Sequence, residues 1–215
     1  MRVMYTTMAQ VKDGQFEGAV GVAAEAAGLM RSHGAEVRFF LASAAGEQVN
    51  TTLFSIEYES PETMGESFDK MSEDPAVQAL TMRLATPESP SMVTSQSMAM
   101  ELPIRSPKAG QGSILEVHTS TIHPGRMEDF ITQSSAVCDF VEANGAVNAR
   151  VIQLTYAGMA SGMTALTWEV ENNRAHAALG AAWFSDEGLA LQATTNGPNP
   201  PSTTLSSALY NAIPL

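Results

Sequence analysis

The side chains best suited to chemistry are a glutamate and a histidine two positions apart, Glu116 and His118, in the β-branched run SILEVHTST. Positions i and i+2 of a strand point to the same side, so the two groups share a face. A carboxylate beside an imidazole in a partly desolvated cleft suits general acid/base work near neutral pH. Two further glutamates, Glu57 and Glu169, stand in the alternating runs FSIEYES and ALTWEVEN. No phosphate-binding glycine-rich loop, HExxH, paired CxxC or GxSxG motif is present. His33, His118, His123 and His176 lack metal-ligand spacing, so no metal site is expected. Cys138 lies on an apolar helix stripe and reads as a buried, inert thiol.

The elements that must position these groups occur twice. Gly34 and Gly145, and Gly14 and Gly125, are each 111 residues apart. The stripe Phe16, Val20, Ala23, Ala27 and Met30 has the spacing of one helix face and maps onto Met127, Ile131, Ser134, Cys138 and Val141. Strands are predicted over 2–11 and 113–122, and helices over 15–33 and 126–144 that end at glycines. Strand pairs follow at 36–43 with 50–59 and at 147–156 with 162–171, joined through Ala44 to Gly46 and Gly158 to Gly162. A second helix follows Pro61, with Met64, Phe68 and Met71 matched by Ala175, Leu179 and Ala182. It is broken near 72–75 and again at 185–188. Final strands fall near 91–101 and 202–211. The fold class is therefore α+β, two tandem ferredoxin-like βαββαβ repeats. Each sheet has one face without helices, and each covers the other. Residues 1–103 form the first unit, 104–112 (rich in Pro and Gly) a linker, and 113–215 the second.

This frame predicts which side chains meet. On the third strands Phe54, Ile56 and Tyr58, and Leu166, Trp168 and Val170, are expected to face the helices. That sends Glu57 and Glu169 between the sheets. The same argument puts Leu115 and Val117 against the helices and Glu116 and His118 on the inter-sheet side. Their first-unit equivalents are Tyr5 and Thr7. His118 is then a base or proton shuttle oriented by Glu116, Glu169 or Glu57, with Tyr5, Thr7, Arg38, Tyr58, Arg150 and Trp168 as ligand contacts. A plainer reading uses the same residues: the glutamates and the histidine pair with Arg38, Arg150 or one another to satisfy a polar interior.

Composition narrows the partners. The net charge is −12, from 11 basic and 23 acidic residues. It opposes binding to nucleic acid or anionic lipid and points to a neutral, apolar or cationic small molecule. One cysteine gives no internal disulfide, and no apolar run is long enough to span a bilayer. The N-terminal MRVMYTTMAQ lacks a signal-peptide core, so a cytoplasmic protein is expected. The 13 methionines read as core gap fillers.

Several segments resemble the dimeric α/β-barrel superfamily. They are VKDGQFE from Val11, HGAEVR from His33, FSIEYES from Phe54, SEDPAVQAL from Ser72, IHPGRMEDF from Ile122 and ALTWEVEN from Ala165. They are similar to NIPSNAP-like, stress-responsive and antibiotic-biosynthesis-monooxygenase-like members. The resemblance implies an intramolecular version of that barrel, present as a monomer or homodimer. It also implies a small-molecule enzyme without a tightly bound cofactor, acting on an apolar, aromatic or polyketide-like substrate in the cleft between sheet and helices. Oxygenation, isomerisation and cyclisation are the implied reactions, and a non-catalytic ligand-binding or stress-response protein is the alternative. Haem-handling members depend on a histidine of the second helix; His176 lies near that place without the aromatic and Asn companions.

Overall fold

The computed structural model describes residues 1–46 and 50–215. The first half runs β1 (Val3–Val11), α1 (Phe16–Ser32), β2 (Glu36–Ala44), β3 (Thr51–Tyr58), α2 (Pro61–Glu73), α3 (Pro75–Leu84) and β4 (Ser91–Glu101). The second repeats it as β5 (Ile114–Ile122), α4 (Met127–Ala143), β6 (Val147–Tyr156), β7 (Thr164–Val170), α5 (Asn173–Ala182), α6 (Asp186–Thr195) and β8 (Ser202–Ala212). A short 3₁₀ turn (Gly158–Ala160) stands between β6 and β7.

Local chemistry sets these boundaries. α1 and α4 close alike: Gly34 and Gly145 take φ of 90° and 98°, and the amides of Ala35 and Ala146 reach back to Met30 and Val141 at 3.1 and 2.9 Å. Only glycine takes that left-handed turn without a steric penalty. Pro75 supplies no amide to continue α2, so the helix breaks; the Asp74 carboxylate then caps α3 through the Ala76 amide at 2.8 Å. In the second half Ser185 caps α6 through the Gly188 amide.

Among the described residues eight strands close into one antiparallel barrel in the order β1-β3-β2-β8-β5-β7-β6-β4. The halves meet at two seams, β2 with β8 and β4 with β6. Each sheet is thus buried on both faces, by helices outside and by the opposite sheet within. The buried helix lines are Ala19, Ala23 and Ala27 in α1 and Phe130, Ser134, Cys138 and Val141 in α4. They keep the spacing of 111, but the first stripe positions, Phe16 and Met127, are each 40% exposed. Those two are the first residues of their helices.

The segment expected as a linker is fastened down. Glu142 on α4 takes the Arg105 guanidinium at 2.5 Å and the amides of Lys108 and Ala149 at 2.7 and 3.1 Å. A β-carbon at Gly112 would stand 2.3 Å from the Val170 carbonyl, so only glycine fits there.

Candidate functional site in the cleft of the second half

Strand register decides which charged groups meet. His118 pairs with Leu166, Glu116 with Trp168, and Leu115 with Glu169; directly opposed residues share a face. Glu116 and His118 therefore lie outside the barrel against the helices, while Leu115 and Val117 line its interior with Glu57 and Glu169. This corrects the inter-sheet placement of Glu116 and His118. The cause is that both faces of the sheet are buried, so apolar character on Leu115 and Val117 does not tell helix side from barrel side. Glu57 and Glu169 accordingly do not touch His118.

Inside the barrel the two glutamates form crossed ion pairs. Arg150 from β6 grips Glu57 of β3 with two bonds of 2.8 and 2.6 Å, and Arg38 from β2 pairs with Glu169 of β7. Each pair joins one half to the other. Glu169 is completed by the Gly112 amide at 2.7 Å and the Asn148 side chain at 2.9 Å; Asn148 sits at a bulge with φ of 54°. Burial pushes the Glu57 carboxyl up, but the Arg150 fork and the nearby Arg2 and Arg38 hold it below the ordinary range. These four residues, expected as acid/base or ligand groups, pair with one another across the barrel interior.

The outward pair is different. His118 Nε2 lies 2.9 Å from Glu116 Oε1 and its Nδ1 lies 2.8 Å from Ser207 Oγ of β8. The Trp168 indole N–H donates to Glu116 Oε2 at 3.0 Å, and His176 Nε2 of α5 stands 3.4 Å from the same oxygen. His118 stacks on the Trp168 ring, centroids 4.7 Å apart and 27° between planes. A carboxylate only accepts, so Glu116 fixes the proton of neutral His118 on Nε2 and leaves Nδ1 with its lone pair toward the Ser207 hydroxyl.

His118 and Trp168 open on a cleft of about 710 Å³ between the sheet and α4 to α6, walled also by Phe130, Trp183 and Phe184. Phe184 is 77% exposed at the rim. Gly180 lines the same cleft, and a β-carbon there would meet nothing within 4 Å. The chain has only two tryptophans, and both face this space. Ser207, Gly180 and, apart from Trp168, the aromatic wall escaped the sequence reading. Ser207 meets His118 only through a pairing of strands far apart in the chain, which leaves no local signal.

The first half holds the equivalent space without the chemistry. Tyr5 and Thr7 line an apolar cavity of about 230 Å³ under α1 and α3, with no histidine or carboxylate in its wall. Tyr58 lines neither space; it is buried, bonded to Ser67 at 2.9 Å and packed on Phe68. Cys138 is fully buried, and burial pushes its thiol up to about 11. His118 meets Glu116 and Ser207 through its two ring nitrogens, and His176, whose Nε2 stands 3.4 Å from Glu116, does not line the cleft. Among the described residues no group of histidine, cysteine and carboxylate side chains is arranged to hold a metal ion, and no helix is long and apolar enough to cross a membrane.

No family model matches the sequence, and no curated protein does. Solved structures do. A protein from Lactobacillus acidophilus assigned as a monooxygenase matches 99% of this chain and 93% of its own, with TM-score 0.62 and 7% identity. An anthrone oxidase-like protein matches with TM-score 0.56 and 11% identity over 99% and 92% of the two chains. A variant of the chlorite dismutase from Candidatus Nitrospira defluvii gives TM-score 0.55 and 10% identity over 99% and 92%. At such identities the likeness is one of fold, and it spans both halves. The chain has the dimeric α/β-barrel fold, with the two halves that a dimer would supply joined in one polypeptide.

Proposed function

We propose that the cleft of the second half binds an aromatic or polyketide-like small molecule and removes a proton from it without a tightly bound cofactor. The observation that carries this reading is the Ser207–His118–Glu116 chain of hydrogen bonds, stacked on Trp168 at the wall of an aromatic cleft. A base needs a lone pair held near the substrate and a partner that steadies the charge it gains. His118 Nδ1 supplies the first and Glu116 the second.

The substrate's acidic C–H or O–H is broken, its proton passes to Nδ1 directly or through the Ser207 hydroxyl, and the electron pair stays on the substrate as an enolate or phenolate. The imidazolium so formed is stabilised by Glu116. Oxygenation by dioxygen, isomerisation and cyclisation all proceed from such an anion. The monooxygenase and anthrone oxidase-like fold neighbours are consistent with the first of these.

The test uses anthrone, a flat carbon acid, as probe. Its binding should quench the fluorescence of Trp168 and Trp183. His118→Gln should keep binding within about threefold yet lower turnover by about two to four orders of magnitude. Unchanged turnover in His118→Gln contradicts the proposal. A second reading, a carrier or stress-response protein that binds without turnover, draws on the first-half cavity, which has apolar walls and no acid/base group. It expects anthrone binding seen by calorimetry without tryptophan quenching, and no chemistry in either form.

A further inference from the structure

The two halves keep one geometry but not one chemistry. Tyr5, Thr7 and Gln96 stand 111 residues before Glu116, His118 and Ser207. Thr7 pairs with Gln96 across β1 and β4 as His118 pairs with Ser207 across β5 and β8. Tyr5, Thr7 and Gln96 all line the first-half cavity of about 230 Å³. Their second-half counterparts are tied into one chain of hydrogen bonds. Among the described residues the side chains of Tyr5, Thr7 and Gln96 make no such bond. Tyr5 and Thr7 are half-buried and Gln96 is exposed, so a ligand can reach all three.

The walls say what kind of ligand fits. Around these polar groups stand Val22, Met30, Phe39, Phe54, Leu80 and Leu84, and no charged side chain lines the space. An ion would lose its water there without gaining a counter-charge. Phe39 and Phe54 meet edge on with centroids 6.2 Å apart, a surface that suits an aromatic ring. The room comes from α1, which turns Ala19, Ala23 and Ala26 to this space where α4 turns Phe130, Ser134 and Val137 to the cleft. Val93, a wall residue that is 50% exposed, leaves the cavity open along β4. Burial pushes the Tyr5 hydroxyl above its ordinary value, so it stays a neutral donor.

We infer that the first-half cavity is a second binding site, for a neutral aromatic molecule of about a dozen non-hydrogen atoms at interior packing density, whose carbonyl or hydroxyl oxygen is held by Tyr5 beside Thr7 and Gln96. This gives a ligand class to the cavity on which the carrier reading draws, and it does not depend on proton removal in the cleft. Ligand binding here and anthrone turnover there are separate readouts, so either can fail alone.

The experiment is a calorimetric titration of the full chain with 1-tetralone, a neutral bicyclic ketone, with tetralin and 2-naphthoate as comparison probes. The native chain should bind the ketone saturably, and Gly180→Leu, which fills the cleft, should bind it one to one with the same affinity. Tetralin lacks the oxygen and naphthoate carries a charge; each should bind about tenfold or more weakly, the loss of one good polar contact. Tyr5→Phe keeps the ring that packs on Phe68 and should weaken the ketone about tenfold while leaving tetralin unchanged. Ala26→Leu and Val93→Trp each fill the cavity from a wall position that is not fully buried. Each should weaken the ketone about tenfold or more, with folding checked by circular dichroism so that either variant suffices. No saturable binding by the native chain overturns the inference. So does binding removed by Gly180→Leu and retained in a folded cavity-filling variant. Ketone binding as tight in Tyr5→Phe as in the native chain overturns the assignment of Tyr5.

Discussion

Glu116 gathers the His118 ring, the Trp168 indole and the nearby His176 around two oxygens, and that crowding gives each residue of the site a distinct test. Glu116→Gln keeps the size but presents an N–H where His118 needs an acceptor, so the ring can no longer hold its proton on Nε2 with Nδ1 free. Turnover of anthrone should fall by about two orders of magnitude while fluorescence quenching persists; equal turnover would show that the pair only packs. Ser207→Ala removes the relay without disturbing the Glu116 side. A smaller loss in kcat, about tenfold, with KM nearly unchanged, is the expected signature. Cys138 provides a contrast. Fully buried and with a raised thiol, it should resist iodoacetamide at pH 8 in the native protein and react on unfolding.

At the scale of elements, what was legible and what was not divides along a physical line. Helix and strand order followed from signals carried within a few residues: the terminating glycines at 34 and 145, Pro75, and the repeated helix stripes. The faces of β5 did not, because Leu115 and Val117 sit as comfortably in the barrel as against helices. Only the pairing of His118 with Leu166 and Ser207 resolves them. The plainer reading of Arg38 and Arg150 was legible because two glutamates between sheets need counter-charges whatever the register. The 104–112 segment shows the same limit: its Pro and Gly content reads as a linker, while its attachment depends on Glu142 of a distant helix. Glu142→Ala should release it and open the peptide bonds after Arg105 and Lys108 to limited trypsin digestion. Resistance equal to the native chain would mean that the strap is held by other contacts.

The whole molecule is closed by exchange between its halves, since each crossed ion pair takes its arginine from one repeat and its glutamate from the other. Glu57→Gln leaves the buried Arg150 without its counter-charge and should destabilise the protein by about 3 to 5 kcal/mol, read as a lowered midpoint in urea. Burial raises the carboxyls of Glu57 and Glu142, yet their arginine partners, and for Glu142 the amides of Lys108 and Ala149, leave both below the ordinary range. A depressed folded value contributes stability that is full above the unfolded carboxylate range, about pH 4, and is lost as the pH falls through the folded values. Urea midpoints should therefore hold steady down to that range and decline below it, with the decline blunted in Glu57→Gln. The duplication also leaves the first-half cavity without a histidine or carboxylate in its wall, since Thr7 stands where the second half has His118, so the proposed proton chemistry is assigned to the second-half cleft alone.

That claim is tested most directly by hydrogen–deuterium exchange at the methylene carbon of anthrone, followed by NMR in D₂O without oxygen. Exchange isolates proton removal from any later oxidation. The account predicts that the native protein accelerates exchange and that His118→Gln abolishes the acceleration while Thr7→Val leaves it intact. Exchange at the native rate in His118→Gln, or none above buffer in the native protein that binds anthrone, would contradict it.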